Sequence, residues 1–167
     1  IKTICDLDTG KVKDNTENIL ITDNWREITE DKEIDIVVEL IGGIDPASNI
    51  ITESLKNGKS LVTANKMLLA EKSIEILDTV IKTGNSIGFE AAVGGGIPCI
   101  LALRKGLVAN RIRSVTGILN GTTNYILSRM EDESLAFDLA LKDAQEKGFA
   151  ESDPTFDVEG IDAGHKI

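Results

Sequence analysis

The chain has 167 residues, 41% hydrophobic and 28% charged, and its 18 basic and 28 acidic side chains give a net charge of −10. This aliphatic content excludes a disordered chain and allows one full-sized core or two small ones sharing an interface. No apolar run approaches the ~20 residues that span a bilayer, and an acidic chain without a basic block or aromatic-rich segment is not expected to bind nucleic acid. Two cysteines, Cys5 and Cys99, are too few for a disulfide framework. With no basic start followed by an apolar stretch, they point to a reducing, cytoplasmic setting.

Ile1–Cys5 is a short β-prone run, followed by a turn through Asp6, Asp8 and Gly10. Residues 11–33 are polar, with one weak apolar run at Ile19–Ile21. Ile34–Ile41 reads as a strand ended by Gly42 and Gly43, and its nearly continuous apolar character predicts burial on both faces, as in a parallel sheet. Pro46 suits the first turn of a helix to about Asn57, with Gly58 as its stop. A brief strand, Ser60–Thr63, leads to a helix over Lys66–Lys82 carrying Leu68, Leu69, Ile74, Leu77 and Ile81, interrupted near Ser73. Ser86–Ala91 is another strand. The order strand–helix–strand–helix–strand predicts parallel βαβ units covered by helices.

The character changes at Gly94-Gly95-Gly96-Ile97-Pro98, which places a domain boundary near residue 92. Beyond it the pattern predicts a helix over Cys99–Leu107, a strand over Arg111–Leu119 and a helix over Thr122–Glu131. An amphipathic helix follows over Ser134–Lys147, with Leu135, Leu139 and Leu141 or Ala140 inward and Gly148 as its stop. A polar loop over 149–156 precedes a final helix starting near Asp157.

Several clusters could carry chemistry, each with an ordinary structural alternative. Asn65 and Lys66 follow a predicted parallel strand, where ligands commonly bind, though Asn65 also suits a helix N-cap. Glu90 precedes a run of three glycines whose carbonyls could turn inward, a donor set suited to a hard cation of low charge; the alternative is a hinge. A phosphate cradle is disfavoured there because no Lys-Ser/Thr follows. Gly121-Thr122-Thr123-Asn124 opens a helix and could hold a carboxylate or simply cap it. The densest polar stretch runs from Gly148 to Lys166, and its Asp162 and Lys166 lie four apart on one helical face. There the alternative is an exposed ion pair contributing a few tenths of a kcal/mol. A lone His165 points well away from Asp162 on that helix.

In combination these segments resemble the homoserine dehydrogenase family. The matching runs are Val37–Gly43, Val62–Ala70, Phe89–Pro98, Gly117–Leu127 and Ala150–Lys166, in the family's order and spacing from about residue 34 onward. The resemblance implies an α/β fold, with a partial Rossmann-like nucleotide-binding domain (1–91) followed by part of an α+β substrate-binding and dimerisation domain (92–167). It implies NAD- or NADP-dependent interconversion of L-homoserine and L-aspartate 4-semialdehyde, in the pathway to threonine, methionine and isoleucine. By resemblance, Lys166 is the proton donor to the carbonyl oxygen and Lys66 the second lysine, near nicotinamide and substrate. Glu151, Asp157 and Asp162 surround the substrate ammonium group, and Thr122 is a further substrate contact. Ile41, Gly42, Gly43 and Gly148 are cofactor-side positions, joined by Asn65 and Lys66. Glu90 with the carbonyls of Val93, Gly95 and Ile97 forms a site for a monovalent cation, sodium or potassium. The region 117–147 contributes to a homodimer.

The chemistry suits these residue types. Hydride arriving at an aldehyde carbon leaves negative charge on oxygen, which a protonated lysine both stabilises and neutralises. A lysine in water titrates near ~10.4, so the oxidation direction, which needs a neutral amine, is expected to favour alkaline pH. Asp6 or Asp8 would lie near the ribose-binding acid of such a fold, an expectation that leans to NAD. No G-x-G-x-x-G occurs, and neither Ile1 nor Ile167 reads like a natural terminus. The expectation is an internal segment of a longer enzyme, inactive alone, preceded by a first βα unit of ~30 residues. The alternatives are another semialdehyde or amino-acid dehydrogenase, or a non-catalytic assembly module.

Overall fold

A computed structural model describes residues 1–12 and 18–167, so the predicted polar stretch 11–33 lies partly outside the described residues. The chain forms two compact units, Ile1–Ala102 and Leu103–Ile167.

In the first unit, β1 (Thr3–Cys5) pairs in parallel with β2 (Leu20–Thr22), and α1 (Arg26–Thr29) follows. A second parallel sheet has the order β3 (Ile36–Glu39), β4 (Ser60–Thr63), β5 (Ile87–Gly88), with Val37 opposite Leu61 and Leu61 opposite Ile87. Helices α2 (Ala47–Lys56) and α3 (Lys66–Thr83) make the crossovers. Both predicted helices are present because their ends are locally encoded. Asn65 Oδ1 accepts from the Leu68 N–H at 3.1 Å and starts α3, and the α3 backbone departs from helical geometry at Lys72, next to the predicted interruption. The core joins Val37, Ile51, Leu55, Leu61, Leu68, Ile76 and Ile87, with Trp25, Ile34 and Phe89 packed against it. Each of the fully buried aliphatic side chains contributes about 1.5–3 kcal/mol.

Three expectations for this unit are corrected. Strand β3 is four residues long and alternates: Val37 and Glu39 are buried, while Ile36 and Val38 are 60% and 59% exposed. Only one side of it faces the α2–α3 core, so burial on both faces does not hold among the described residues. In α3, Ile74, Leu77 and Ile81 are exposed, and Leu68 and Ile76 carry the buried face. The segment before β3 is fixed by Lys59, which is buried and donates from Nζ to the carbonyls of Asp31 and Ile34. A short turn of helix, Glu90–Ala92, takes the place of the end of the predicted last strand. The glycine-rich loop then leads to α4 (Cys99–Leu101), which runs into a π-type turn over Ala102–Gly106.

The second unit is helical: α5 (Gly121–Glu133), α6 (Phe137–Glu146), α7 (Thr155–Val158) and α8 (Ile161–Lys166). Its core is Ile126, Ala140, Ala144 and Ala150, with Tyr125, Met130, Leu135 and Leu141 against it. Helix α6 presents Ala140 and Ala144 inward, with Leu141 partly buried beside them, and leaves Leu139 exposed, which corrects the inward placement of Leu139. The predicted strand Arg111–Leu119 is not formed. A strand needs a hydrogen-bonded neighbour, and no other strand is present among the described residues of this unit. Helices α5 and α6 are joined by a polar knot. Asp143 accepts from the Tyr125 hydroxyl at 2.6 Å, from Arg129 Nε at 3.1 Å and from Lys147 Nζ at 3.1 Å, and the Tyr125 ring lies tilted by 36° against Phe149 with centroids 4.6 Å apart.

Candidate functional site

In the second unit two of the predicted substrate carboxylates, Asp157 and Asp162, meet at a side chain the sequence reading did not single out. Asn120 precedes α5 in extended geometry, and its Oδ1 accepts from the Thr123 N–H at 2.8 Å, starting the helix. Its amide nitrogen faces the other way. It donates to Asp157 Oδ1 at 2.7 Å and to Asp162 Oδ2 at 2.9 Å, thereby tying α7 and α8 to the start of α5. Lys166 Nζ donates to the same Asp162 oxygen at 2.5 Å and to the Leu119 carbonyl at 2.5 Å. The Asp162–Lys166 pair predicted from spacing is therefore real. It is not the exposed pair of the ordinary reading, because the two side chains are only 11% and 21% exposed. In such a setting, charge-assisted hydrogen bonds fix geometry rather than merely decorating a surface.

The remaining predicted substrate positions, Thr122 and Glu151, make other contacts. Thr122 Oγ1 donates to the Phe149 carbonyl at 2.7 Å, fixing the turn after α6. Glu151 is exposed, and its backbone carbonyl accepts from Gln145 Nε2 at 3.0 Å. Gly148 has a left-handed φ of +76° and donates to the Gln145 carbonyl as α6 ends. His165 packs edge-on against Phe156, with centroids 5.7 Å apart.

In the first unit, the predicted cofactor-side residues lie at the C-terminal ends of β3 and β4. Gly42 and Gly43 have φ of +72° and +69°, and a Cβ built on either would meet nothing within 4 Å. That backbone is open to close approach by a ligand. Asn65 combines both readings proposed for it: Oδ1 caps α3, while Nδ2 donates to the Gly43 carbonyl at 2.7 Å. Lys66 is the first residue of α3. Glu39 and Thr63, not singled out in the sequence, lie buried behind these turns. At the end of β1, the Asp8 N–H donates to Asp6 Oδ1 at 2.8 Å.

The predicted cation residues are grouped in the glycine loop. Gly94 and Gly95 have positive φ. The Glu90 carboxylate accepts from the N–H groups of Ile100 and Leu101, at 2.9 Å each, so it caps α4. The Val93 carbonyl accepts from the Cys99 thiol at 3.2 Å. A carbonyl or carboxylate oxygen with one such bond retains a lone pair, so this donor set remains able to ligate. Among the described residues no cluster of three or more His, Cys, Asp or Glu side chains could hold a metal ion, and no helix is long and apolar enough to cross a membrane.

Comparison with known proteins adds a separate line of evidence. A family model described as homoserine dehydrogenase, NAD binding domain, matches residues 1–90, and one described as homoserine dehydrogenase matches residues 98–167. A homoserine dehydrogenase from Neisseria gonorrhoeae is 49% identical over 167 residues, which is 100% of this chain and 38% of the relative. The crystal structure of a homoserine dehydrogenase from Thiobacillus denitrificans superposes with a TM-score of 0.85 at 50% identity, covering 98% of this chain and 38% of that one. A hyperthermophilic archaeal homoserine dehydrogenase in complex with NADPH is similar with a TM-score of 0.75 at 31% identity, over 88% of this chain and 46% of that one.

Proposed function

From the premise that this chain belongs to the homoserine dehydrogenase family, we propose that it contributes the catalytic residues of an NAD(P)-dependent enzyme interconverting L-homoserine and L-aspartate 4-semialdehyde. The observation that carries this reading is the cluster in which Asn120 donates to Asp157 and Asp162 while Lys166 donates to the same Asp162 oxygen. It sets a cationic proton donor beside two carboxylates, the combination needed to hold an ammonium group and protonate a nearby carbonyl oxygen.

The dinucleotide, when bound, supplies or accepts the hydride. Ile41, Gly42, Gly43, Asn65 and Lys66 hold it at the strand ends, with Gly148 as a further contact, and the open left-handed backbone at Gly42 and Gly43 fits a closely approaching ligand. Asp6 and Asp8, at the end of β1, favour the free ribose hydroxyl of NAD over a 2′-phosphate. Lys166 stabilises negative charge developing on the substrate oxygen and gives it a proton; in the oxidation direction it takes that proton back. Asp162 keeps the Lys166 amine oriented through the 2.5 Å contact. Asp157, Asp162 and Glu151 hold the substrate ammonium group, Thr122 makes a further substrate contact, and Lys66 assists near the reacting carbon. Glu90 with the carbonyls of Val93, Gly95 and Ile97 holds a sodium or potassium ion that stiffens the glycine loop.

We take the division between the nucleotide-binding and substrate halves to fall at residues 91–92, ahead of the 102–103 boundary between the two compact units; the 117–147 region serves a homodimer, and the enzyme works in the cytoplasm. The decisive experiment is homoserine-dependent reduction of NAD and NADP by the full-length protein. Lys166→Ala is expected to abolish turnover while leaving dinucleotide binding in place, and turnover comparable to wild type in that variant would remove Lys166 from the mechanism.

A further inference from the structure

Glu39 is a carboxylate that the proposed chemistry does not use, yet it is 3% exposed, at the C-terminal end of β3. A carboxylate taken from water persists only if its oxygens are hydrogen-bonded. Here the donors come from two different turns. Oε1 accepts from the backbone N–H of Ile41 at 2.9 Å and of Gly42 at 3.2 Å, while Oε2 accepts from the Thr63 hydroxyl at 2.6 Å. The same hydroxyl oxygen accepts from the Asn65 N–H at 3.0 Å, and Asn65 Nδ2 returns to the Gly43 carbonyl at 2.7 Å. The bonds close into a ring that runs from Glu39 through the 41–43 turn to Asn65, then through Thr63 back to Glu39.

We propose that Glu39, acting through Thr63, is the positioning residue of the dinucleotide crevice, holding the 41–43 turn and the turn that launches Lys66 at a fixed separation. The inference rests on the reading above that these turns face the dinucleotide. A Cβ built on Gly42 or Gly43 would meet nothing within 4 Å, and the hydrogen bonds of this ring tie that left-handed turn to the ends of β3 and β4. The ring also assigns the ligand chemistry. The Ile41 and Gly42 N–H groups are taken, and a carboxylate sits behind them. This turn therefore meets an uncharged or cationic part of the dinucleotide rather than its phosphates.

The test uses the full-length protein and isosteric variants. Glu39→Gln keeps an acceptor for the two backbone amides but replaces Oε2 by a donor, so the Thr63 hydroxyl loses its acceptor. Thr63→Val deletes the hydroxyl at constant shape, and Thr63→Ser restores it. Expected results are dinucleotide dissociation constants, from titration calorimetry, weakened about tenfold in E39Q and T63V and returned close to wild type in T63S. The KM for homoserine at saturating dinucleotide is expected to be unchanged. Thermal melting without ligand measures the purely structural contribution. Lowered melting temperatures with native dinucleotide affinity in E39Q and T63V would overturn the assignment, as would T63S being as impaired as T63V. If E39Q does not fold, the T63V and T63S pair decides. A wild-type protein that binds no dinucleotide would overturn the parent reading too, whereas native binding in both E39Q and T63V overturns only the role of Glu39.

Discussion

Asn120 offers the sharpest test of how the second unit is built, because its two ends do separable jobs. Asn120→Ser leaves a hydroxyl able to cap α5 but too short to reach Asp157 or Asp162, so it removes the bonds at 2.7 and 2.9 Å. A hydrogen bond to a charged group contributes about 1.5–3 kcal/mol. The two bonds share one nitrogen, and Asp162 keeps Lys166 as a partner, so the combined cost is about 3 kcal/mol. Asn120→Ala also loses the cap on Thr123 and costs about 1 kcal/mol more. Asn120→Asp preserves a capping oxygen but crowds a third carboxylate against the other two. Its cost exceeds that of the serine variant near neutral pH and shrinks as pH falls through the carboxylate range, because the crowded folded state binds a proton more readily than the unfolded chain. The assay is native-state hydrogen exchange over residues 121–130 and 155–167, backed by urea unfolding. Asn120→Ser within ~0.5 kcal/mol of wild type, or indistinguishable from Asn120→Ala, would refute the two-ended role.

Two further outcomes follow from the same unit. The Asp143 carboxyl is held below its ordinary value chiefly by the Tyr125 hydroxyl and then by Lys147. Its contribution is therefore complete above the ordinary carboxylate range and is lost as pH falls through its lowered value; Asp143→Asn should flatten the acid side of a melting-temperature profile, and an unchanged profile would count against the knot. Ile126, 1% exposed in a core whose other fully buried members are alanines, should cost about 2–5 kcal/mol as Ile126→Ala, read as a lowered urea midpoint. A loss below ~1 kcal/mol would mean that the helices close over the gap.

What the sequence disclosed was mostly local. The Asn65 cap, the Gly58 stop and the Asp162–Lys166 spacing each depend on residues within one helical turn, and all appear as read. The strand predicted over 111–119 failed because strand identity depends on a neighbour that no local pattern specifies. Leu139 was placed inward because a leucine outweighs an alanine in any periodicity count, yet Ala140 and Ala144 are what fit against Ile126. Asn120 was missed because Asn before Gly reads as an ordinary turn; its amide partners lie 37 and 42 residues away. Glu39 had a usable signal. An acid inside an apolar strand must find donors, and the Gly-Gly turn just beyond it was the natural place to look.

The exposed side of β3 has a practical consequence. Among the described residues β3 pairs only with β4, and Ile36, Val38, Leu40 and Ile41 are all more than half exposed beside that unpaired edge. A short apolar strand with free amides and carbonyls along one border is a template for adding another strand. A sample consisting of these 167 residues alone would therefore be prone to self-association that grows with concentration. A soluble preparation needs that border covered by a strand or blunted by a charge at Val38.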